Sequence, residues 1–174
     1  GRVTADHVGM LATVMNAAVL RDYLRAEGQK AHVFTPRDQK PLAEMFVRDR
    51  ALALLKAGEV LLLAGGTGNP YFTTDSAAAL RALEISADVL LKATQVDGVY
   101  DRDPHRYADA VKFDHLTYDE ALARKLRVMD LTAITLCAEG NLAVVVFDVS
   151  DPENLHRILA GEPLGTRITT EPSA

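Results

Sequence analysis

The residues with the clearest chemical potential form one stretch, AGGTGNPYFTTD, at positions 64–75. It follows an apolar run at 60–63 and precedes a segment of helical character at 76–85. A strand, a glycine-rich turn and a helix are the layout in which backbone N–H groups and a helix N-terminus receive a phosphate. Local chemistry leaves two interpretations open: a phosphate loop, or a strand-to-helix turn whose Thr and Asp side chains cap the helix.

A second polar loop, residues 94–103, follows an apolar segment at 88–94. It contains Thr94, the aromatic Tyr100 and three carboxylates, those of Asp97, Asp101 and Asp103. An aromatic face with a carboxylate acceptor suits a purine and its ribose, and the same residues also suit an ordinary turn.

Asp75, at the predicted helix start, has two interpretations of its own. It can orient a cation or a lysine in phosphoryl transfer, where positioning and charge stabilisation dominate. It can equally serve as a helix N-terminal carboxylate.

Several other kinds of site are absent from the sequence. There is no P-loop signature, no GxGxxG after a strand and no GxSxG elbow. The five histidines are scattered, so no metal site is predicted.

The single cysteine, Cys137, excludes an internal disulfide and lies in an apolar segment, which predicts a buried thiol. A net charge of -5 without a basic run argues against a nucleic-acid surface. No apolar run approaches about 18 residues, so no membrane helix is predicted.

Strands and helices alternate along the predicted chain, which indicates an α/β fold with a mainly parallel sheet. Ligands on such sheets lie at the carboxyl ends of the strands, so both polar loops are expected to open onto the same rim. Thr4 is the predicted cap of the first helix. The predicted helices cover 5–26, 42–57, 76–85, 118–125, 128–138 and 154–160, and the strands cover 31–34, 60–63, 88–94, 143–147 and a terminal segment ending at 168.

Along its whole length the chain resembles bacterial uridylate kinases of the amino-acid kinase fold. The stretches that carry the resemblance are DHVGMLATVMN at 6–16, GTGNPYFTTD at 66–75, KATQVDGVY at 92–100, VMD at 128–130 and GEPLGT at 161–166. The resemblance implies a three-layer αβα sandwich forming a single domain over residues 1–174. It also implies a cytoplasmic enzyme of pyrimidine nucleotide biosynthesis that transfers the γ-phosphoryl group of ATP to UMP, with Mg²⁺, to give UDP.

The resemblance also implies roles for particular residues. Asp75 and Asp130 would organise the transfer centre. The ATP contacts would be Thr94, Tyr100 and Asp103, with Tyr100 against adenine. The UMP site would consist of Asp6, Thr67, Gly68, Asn69, Pro70, Tyr71, Phe72, Thr73 and Thr74, with Asp6 accepting from the ribose hydroxyls. On this interpretation residues 64–75 form the acceptor side of the site and not the ATP cradle.

The sequence departs from the family at its front, because the family's lysine-rich first strand and its GGGN loop are not in these residues. We therefore expect this chain to be a truncated or incomplete version of the family's kinase, and to be a poor kinase by itself. Two alternatives remain: another enzyme of the same fold, or a non-catalytic nucleotide-binding storage or regulatory protein.

The family resemblance further implies a homohexamer built from dimers, with GTP and UTP as effectors. The small residues of the first helix suit either a dimer contact or packing within the chain. Arg21 and Arg25 on the same helix are candidates for an effector site or for simple solvated charges.

Overall fold

The computed structural model describes residues 1–126 and 128–172. The chain forms two compact units, Gly1–Ile85 and Ser86–Ala174. The first unit consists of α1 (Arg2–Ala26), β1 (Ala31–Thr35), β2 (Glu44–Met45), α2 (Arg48–Lys56), β3 (Val60–Leu63) and α3 (Thr74–Glu84). The second consists of β4 (Val89–Thr94), β5 (Val99–Tyr100), β6 (Lys112–Phe113), β7 (His115–Thr117), α4 (Tyr118–Ala123), α5 (Leu131–Glu139), β8 (Ala143–Asp148), α6 (Glu153–Leu159) and β9 (Thr166–Thr169).

The first unit is organised around a three-stranded parallel sheet in the order β2-β1-β3. The central strand β1 pairs with β3 from Ala31 opposite Val60 onward. Helix α1 packs on this sheet through Val14, which joins Val33 and neighbouring small residues in one buried cluster. The packing fixes α1 beside the carboxyl end of β3, where the glycine-rich loop begins.

The second unit is organised around a four-stranded sheet in the order β4-β8-β9-β7. Strand β8 runs parallel to β4 and antiparallel to β9, while β7 and β9 are parallel. Strands β5 and β6 form a separate antiparallel pair. The α5 residue Cys137 is fully buried, which confirms the prediction of a buried thiol.

The apolar character of the segments at 60–63, 88–94 and 143–147 predicts three buried strands, and the prediction is right for one of them. The four central residues of β8 are buried, because this strand has a neighbour on each side. Strands β3 and β4 are only partly buried. Each of these two lies at the edge of its sheet, so one side of the strand has no neighbour within that sheet.

The predicted helix at 42–57 is wrong in its first third, because α2 begins only at Arg48. The preceding residues add the short strand β2 to β1, and the Phe46 N–H donates to Thr35 O at 2.8 Å. The Phe46 ring also packs edge-on against Phe34, with the centroids 6.3 Å apart. These tertiary contacts outweigh the helical pattern of the segment.

Two predicted helix starts also differ from the structure. Thr4 lies inside α1, whose N-cap is Gly1. Helix α5 starts three residues later than expected, since Asp130 is its N-cap.

Helix α1 is long and apolar enough to cross a membrane by length and composition, with a mean hydropathy of 1.3 over an 18-residue window. The prediction of no membrane helix from the sequence had not anticipated this. A helix in the core of a globular protein passes the same test, so the property alone is weak support for a membrane role. In this structure Val14 of α1 contributes to the buried core of the first unit.

The spacing of Thr117 and Glu120 in the sequence predicts a capping box, and this capping box stabilises the start of α4. Thr117 Oγ1 accepts the Glu120 N–H at 3.1 Å, and the Glu120 carboxylate accepts the Thr117 N–H at 2.8 Å. The hydrogen bonds that the Glu120 carboxylate accepts from the Thr117 N–H and from the Thr117 hydroxyl hold the pKa of Glu120 below its ordinary value. The stabilisation is therefore present above the carboxyl's ordinary pKa and is lost as the pH falls.

We expect Thr117→Ala to lower the free energy of unfolding by about 0.5–2 kcal/mol, since it removes the N-cap acceptor. Urea unfolding followed by circular dichroism measures the change. Thr135→Ala is the matched control, because Thr135 is exposed and its hydroxyl only donates to Leu131 O within α5. Equal losses in the two variants would contradict the prediction.

Candidate functional site

A cavity of about 270 Å³ lies in the first unit between α1 and the glycine-rich loop, which we define as residues 64–73. We call it the α1–loop cavity. Helix α1 contributes one wall, made of Ala5, Asp6, Gly9, Met10 and Thr13. The loop and the first residue of α3 contribute the other, made of Gly66, Thr67, Asn69, Phe72, Thr73 and Thr74.

Side chains of α1 hold the glycine-rich loop at both of its ends. At the start of the loop, Thr13 Oγ1 accepts the Gly65 N–H at 2.8 Å while donating to Met10 O at 2.7 Å. Near its end, Asp6 Oδ2 accepts the Tyr71 N–H at 2.8 Å. Asp6 and Thr13 are two helical turns apart, so they lie on one face of α1. The loop conformation therefore depends on the position of this helix.

Tyr71 has a left-handed backbone, with a φ of 72°. Among residues 1–126 and 128–172, the other non-glycine residues of positive φ are Ser86, Lys125 and Asn141. Each of these follows a helix end, where this conformation is common. Tyr71 instead lies within the loop, and for a bulky residue the conformation costs free energy. Tyr71 is 64% exposed. The hydrogen bond from its backbone to Asp6 is thus a principal contact that holds the strained conformation.

The middle of the loop is packed against the segment that follows β1. Gly68 has a φ of +76°, and a Cβ placed there would lie 2.8 Å from Pro36 Cβ. Only glycine meets both conditions, since another residue would be strained and would clash. Within the same turn, Thr67 Oγ1 accepts the Asn69 N–H at 3.2 Å. The two polar side chains that face the cavity are thereby held in a fixed turn.

The last part of the loop leads into α3, and here the capping interpretation is confirmed. Thr73 is the N-cap of α3, and its Oγ1 accepts the Ser76 N–H at 3.1 Å. Thr73 and Thr74 also line the cavity. Backbone N–H groups at a helix N-terminus attract anions. The α1–loop cavity therefore combines hydroxyl and amide groups, one carboxylate, and a helix N-terminus at one side.

The residues that the family resemblance implies for an acceptor nucleotide are divided between this cavity and its surroundings, and their contact with a nucleotide stays a prediction. Of the residues predicted for an acceptor nucleotide, Asp6, Thr67, Asn69, Phe72, Thr73 and Thr74 line it. Gly68 instead lines a neighbouring cavity of about 300 Å³, while Pro70 and Tyr71 line neither. Sequence reasoning missed Ala5, Gly9, Met10, Thr13 and Gly66 as lining residues. The signal for three of them, Gly9, Met10 and Thr13, was their helical spacing with Asp6.

The second polar loop lies in the second unit, and its predicted nucleotide contacts engage neighbouring groups. Thr94 Oγ1 donates to Val96 O at 2.7 Å. Tyr100 donates to Asp97 Oδ1 at 2.7 Å, which lowers the pKa of Asp97 and raises that of Tyr100. Asp97 is thereby kept charged and Tyr100 neutral at physiological pH. Their role toward a nucleotide stays a prediction.

Asp103 in the same loop has two local partners. Its Oδ1 accepts the His105 N–H at 2.9 Å, and its Oδ2 lies 3.3 Å from Arg106 Nε. These contacts order the turn that follows β5, and a role for Asp103 toward ATP stays a prediction.

The two candidate catalytic carboxylates both occur at helix starts. Asp75 lies in the first turn of α3, directly after the cavity residue Thr74. Asp130 is the N-cap of α5, where its Oδ1 accepts the Ala133 N–H at 3.1 Å. The structure thus gives Asp130 a capping role, and its part in chemistry stays a prediction.

Arg21 and Arg25, the candidate effector residues of α1, both donate to backbone carbonyls. Arg21 Nη1 donates to Leu42 O at 2.9 Å, and Arg25 Nη2 donates to Ala31 O at 2.7 Å. These hydrogen bonds join α1 to the first unit around it, so both side chains have a structural role.

The sequence model of the Amino acid kinase family matches residues 2–148, and the chain belongs to this family. The solved structures similar to it include three UMP or uridylate kinases. The UMP kinase of Bacillus anthracis is 35% identical, with a TM-score of 0.95 over 99% of this chain and 72% of that chain. The UMP kinase of Ureaplasma parvum is 33% identical, with a TM-score of 0.92 over 97% of this chain and 72% of that chain. The uridylate kinase of Archaeoglobus fulgidus is 32% identical, with a TM-score of 0.72 over 97% of this chain and 73% of that chain.

These similarities confirm the predicted α/β amino-acid kinase fold and the resemblance from which it was inferred. The chain is accordingly a phosphotransferase of the kinase type. Family membership also implies ATP as the phosphoryl donor.

Proposed function

We propose that this protein takes UMP as its phosphoryl acceptor and converts it to UDP with the γ-phosphoryl group of ATP. The single observation that carries the proposal is the α1–loop cavity, which brings Asp6 to the same space as Thr67, Asn69 and the start of α3. The similarity to two solved structures of UMP kinases supports the same acceptor.

The groups around the cavity suit the three parts of a nucleotide. The Asp6 carboxylate is an acceptor for ribose hydroxyls, since its second oxygen is not the one that holds Tyr71. Thr67 and Asn69 supply the donors and acceptors that a uracil edge requires. Thr73, Thr74 and the N-terminus of α3 suit the phosphate. The acceptor phosphate is thereby directed toward the end of the cavity nearest to Asp75.

In the proposed reaction an oxygen of the UMP phosphate forms a bond to the γ-phosphorus of ATP, and the bond from that phosphorus to the ADP oxygen breaks. The chain's own residues position the acceptor, which is the main requirement of phosphoryl transfer. We propose Asp75 and Asp130 as the carboxylates that organise the transfer centre, and Thr94, Tyr100 and Asp103 as contacts to ATP.

Magnesium would supply charge neutralisation between the phosphates of ATP. Among residues 1–126 and 128–172, no group of three or more His, Cys, Asp or Glu side chains could hold a metal ion. A magnesium ion commonly keeps several waters and binds one or two carboxylates together with substrate phosphates. We propose the Asp75 carboxylate, in the first turn of α3, for such a contact.

We further propose a cytoplasmic homo-oligomer, with GTP and UTP as effectors. The support for assembly is the exposed apolar surface of α1, formed by Val3, Val8, Leu11, Met15, Val19, Leu20 and Tyr23. Large exposed apolar patches on folded proteins commonly mark interaction sites.

Titration calorimetry with UMP, with AMP as the comparison ligand, tests the acceptor assignment. We expect saturable UMP binding by this chain and much weaker AMP binding. A coupled assay of UDP formation from ATP, UMP and Mg²⁺ then tests the reaction. The absence of UMP binding would overturn the proposal. UMP binding without any UDP formation, by a version that also carries the family's lysine-rich first strand and GGGN loop, would favour a nucleotide-binding protein without catalysis.

A further inference from the structure

Gly9 lies well inside α1, where glycine is a poor choice. It has a high entropic cost of ordering, and inside a helix it is less favourable than any ordinary residue apart from proline. A glycine kept at such a position usually has a packing or functional reason.

The contacts of the chain supply no packing reason for Gly9. Its backbone is helical, without the positive φ that favours glycine, and a Cβ built there meets no heavy atom within 4 Å in the part of the chain that the structure describes. In contrast, a Cβ at Gly68 would clash with Pro36. Gly9 therefore leaves open space that the protein itself does not use.

The open space at Gly9 belongs to the α1–loop cavity. Gly9 lines this cavity together with Ala5 and Asp6, one turn before it, and Met10 and Thr13 after it. Residues three and four apart lie on one face of a helix, so Gly9 is at the centre of the α1 wall. A side chain at this position would extend into the cavity, next to the Asp6 carboxylate.

We infer that Gly9 is required for tight nucleotide binding in the acceptor cavity, because the side chain it lacks leaves room for the sugar and base of a nucleoside monophosphate. The inference rests on the proposed function and deepens it by adding a residue to the acceptor site. Asp6, one turn away, marks the sugar end of the ligand, and Thr73 and Thr74 mark the phosphate end. The nucleoside then lies along the helix backbone at Gly9.

The test is a series of increasing size, Gly9→Ala and Gly9→Leu, with UMP affinity measured by titration calorimetry. We expect Gly9→Leu to weaken UMP binding by about 10- to 100-fold, the usual effect of overfilling a packed space, and Gly9→Ala to weaken it less. Gly9→Ala is expected to raise the midpoint of thermal unfolding by roughly 1–4 °C, since alanine is the better helix former. A loss of affinity in a more stable protein separates this role from a merely structural one.

Ala12→Leu is the matched control, because Ala12 is an exposed α1 residue outside the cavity wall. It adds a side chain of the same size as Gly9→Leu does, and we expect its UMP affinity to equal that of the unmodified chain. Sedimentation velocity of each variant reports on assembly through α1.

The outcomes distinguish the inference from the function on which it rests. Absence of UMP binding by the unmodified chain would overturn both. UMP binding that is unchanged in Gly9→Leu would overturn the inference alone. Altered sedimentation of the Gly9 variants at unchanged UMP affinity would also overturn it, since glycine would then serve a contact between helices of two chains.

Discussion

Replacing Asp6 by alanine is expected to weaken UMP binding by about 10- to 150-fold. The carboxylate accepts the Tyr71 N–H at 2.8 Å, and in the proposed complex it also accepts from the ribose. Hydrogen bonds to charged groups contribute about 1.5–3 kcal/mol each, which corresponds to this range of affinity for the loss of one of them. Loss of the Tyr71 contact adds to the effect, because the strained loop loses a principal support.

The measurement is UMP affinity by calorimetry, and two variants make it specific. Asp6→Asn keeps an oxygen that accepts the Tyr71 N–H but removes the charge, so we expect an intermediate loss of affinity. Asp22→Ala removes another α1 carboxylate, whose partner is the neighbouring Arg21, and should leave UMP binding unchanged. An Asp6→Ala variant that remains folded and binds UMP as tightly as the unmodified chain would contradict the proposed acceptor site.

The largest effect on stability is expected from Gly165→Ala. Gly165 has a φ of +82°, and a Cβ there would lie 2.2 Å from the backbone oxygen of Val146, in the buried centre of β8. The left-handed conformation costs about 1–2 kcal/mol for a residue with a Cβ. Overpacking against a core adds about 1–3 kcal/mol. We therefore expect the free energy of unfolding to fall by about 2–5 kcal/mol, as measured by urea unfolding.

Gly161→Ala separates the two causes of that loss. Gly161 has a φ of +91°, but a Cβ there meets nothing within 4 Å. This variant should therefore show the conformational cost alone, about 1–2 kcal/mol. If Gly165→Ala were no more destabilising than Gly161→Ala, the packing of Gly165 against β8 would be less tight than the structure shows.

The features that sequence reasoning predicted well are those decided by residues close together in the chain. Thr117 and Glu120 form their capping box within a single helical turn. The glycine-rich loop was placed correctly between a strand and a helix because glycine and threonine have strong local preferences there. The burial of β8 followed from its uninterrupted apolar run.

The features that it missed depend on partners distant in the chain. Residues 44–45 form a strand, and Phe46 packs against Phe34, because β1 lies beside this segment. The partial exposure of β3 follows from its place at a sheet edge, which its own apolar residues do not reveal. The family resemblance predicted that the loop and Asp6 belong to one site. It could not show that Gly9 and Thr13 face the loop, because that depends on how α1 is oriented.

The two hydrogen bonds that tie the glycine-rich loop to α1 also make two amide protons informative. The N–H groups of Gly65 and Tyr71 donate to side chains of α1, so no strand ladder protects them from exchange with solvent. An amide exchanges when its own hydrogen bond opens, whether or not the whole domain unfolds. Separation of α1 from the loop would expose both protons at once, while amides inside the helix would remain protected. Hydrogen exchange at Gly65 and Tyr71 therefore reports how often this helix and loop part in the folded protein.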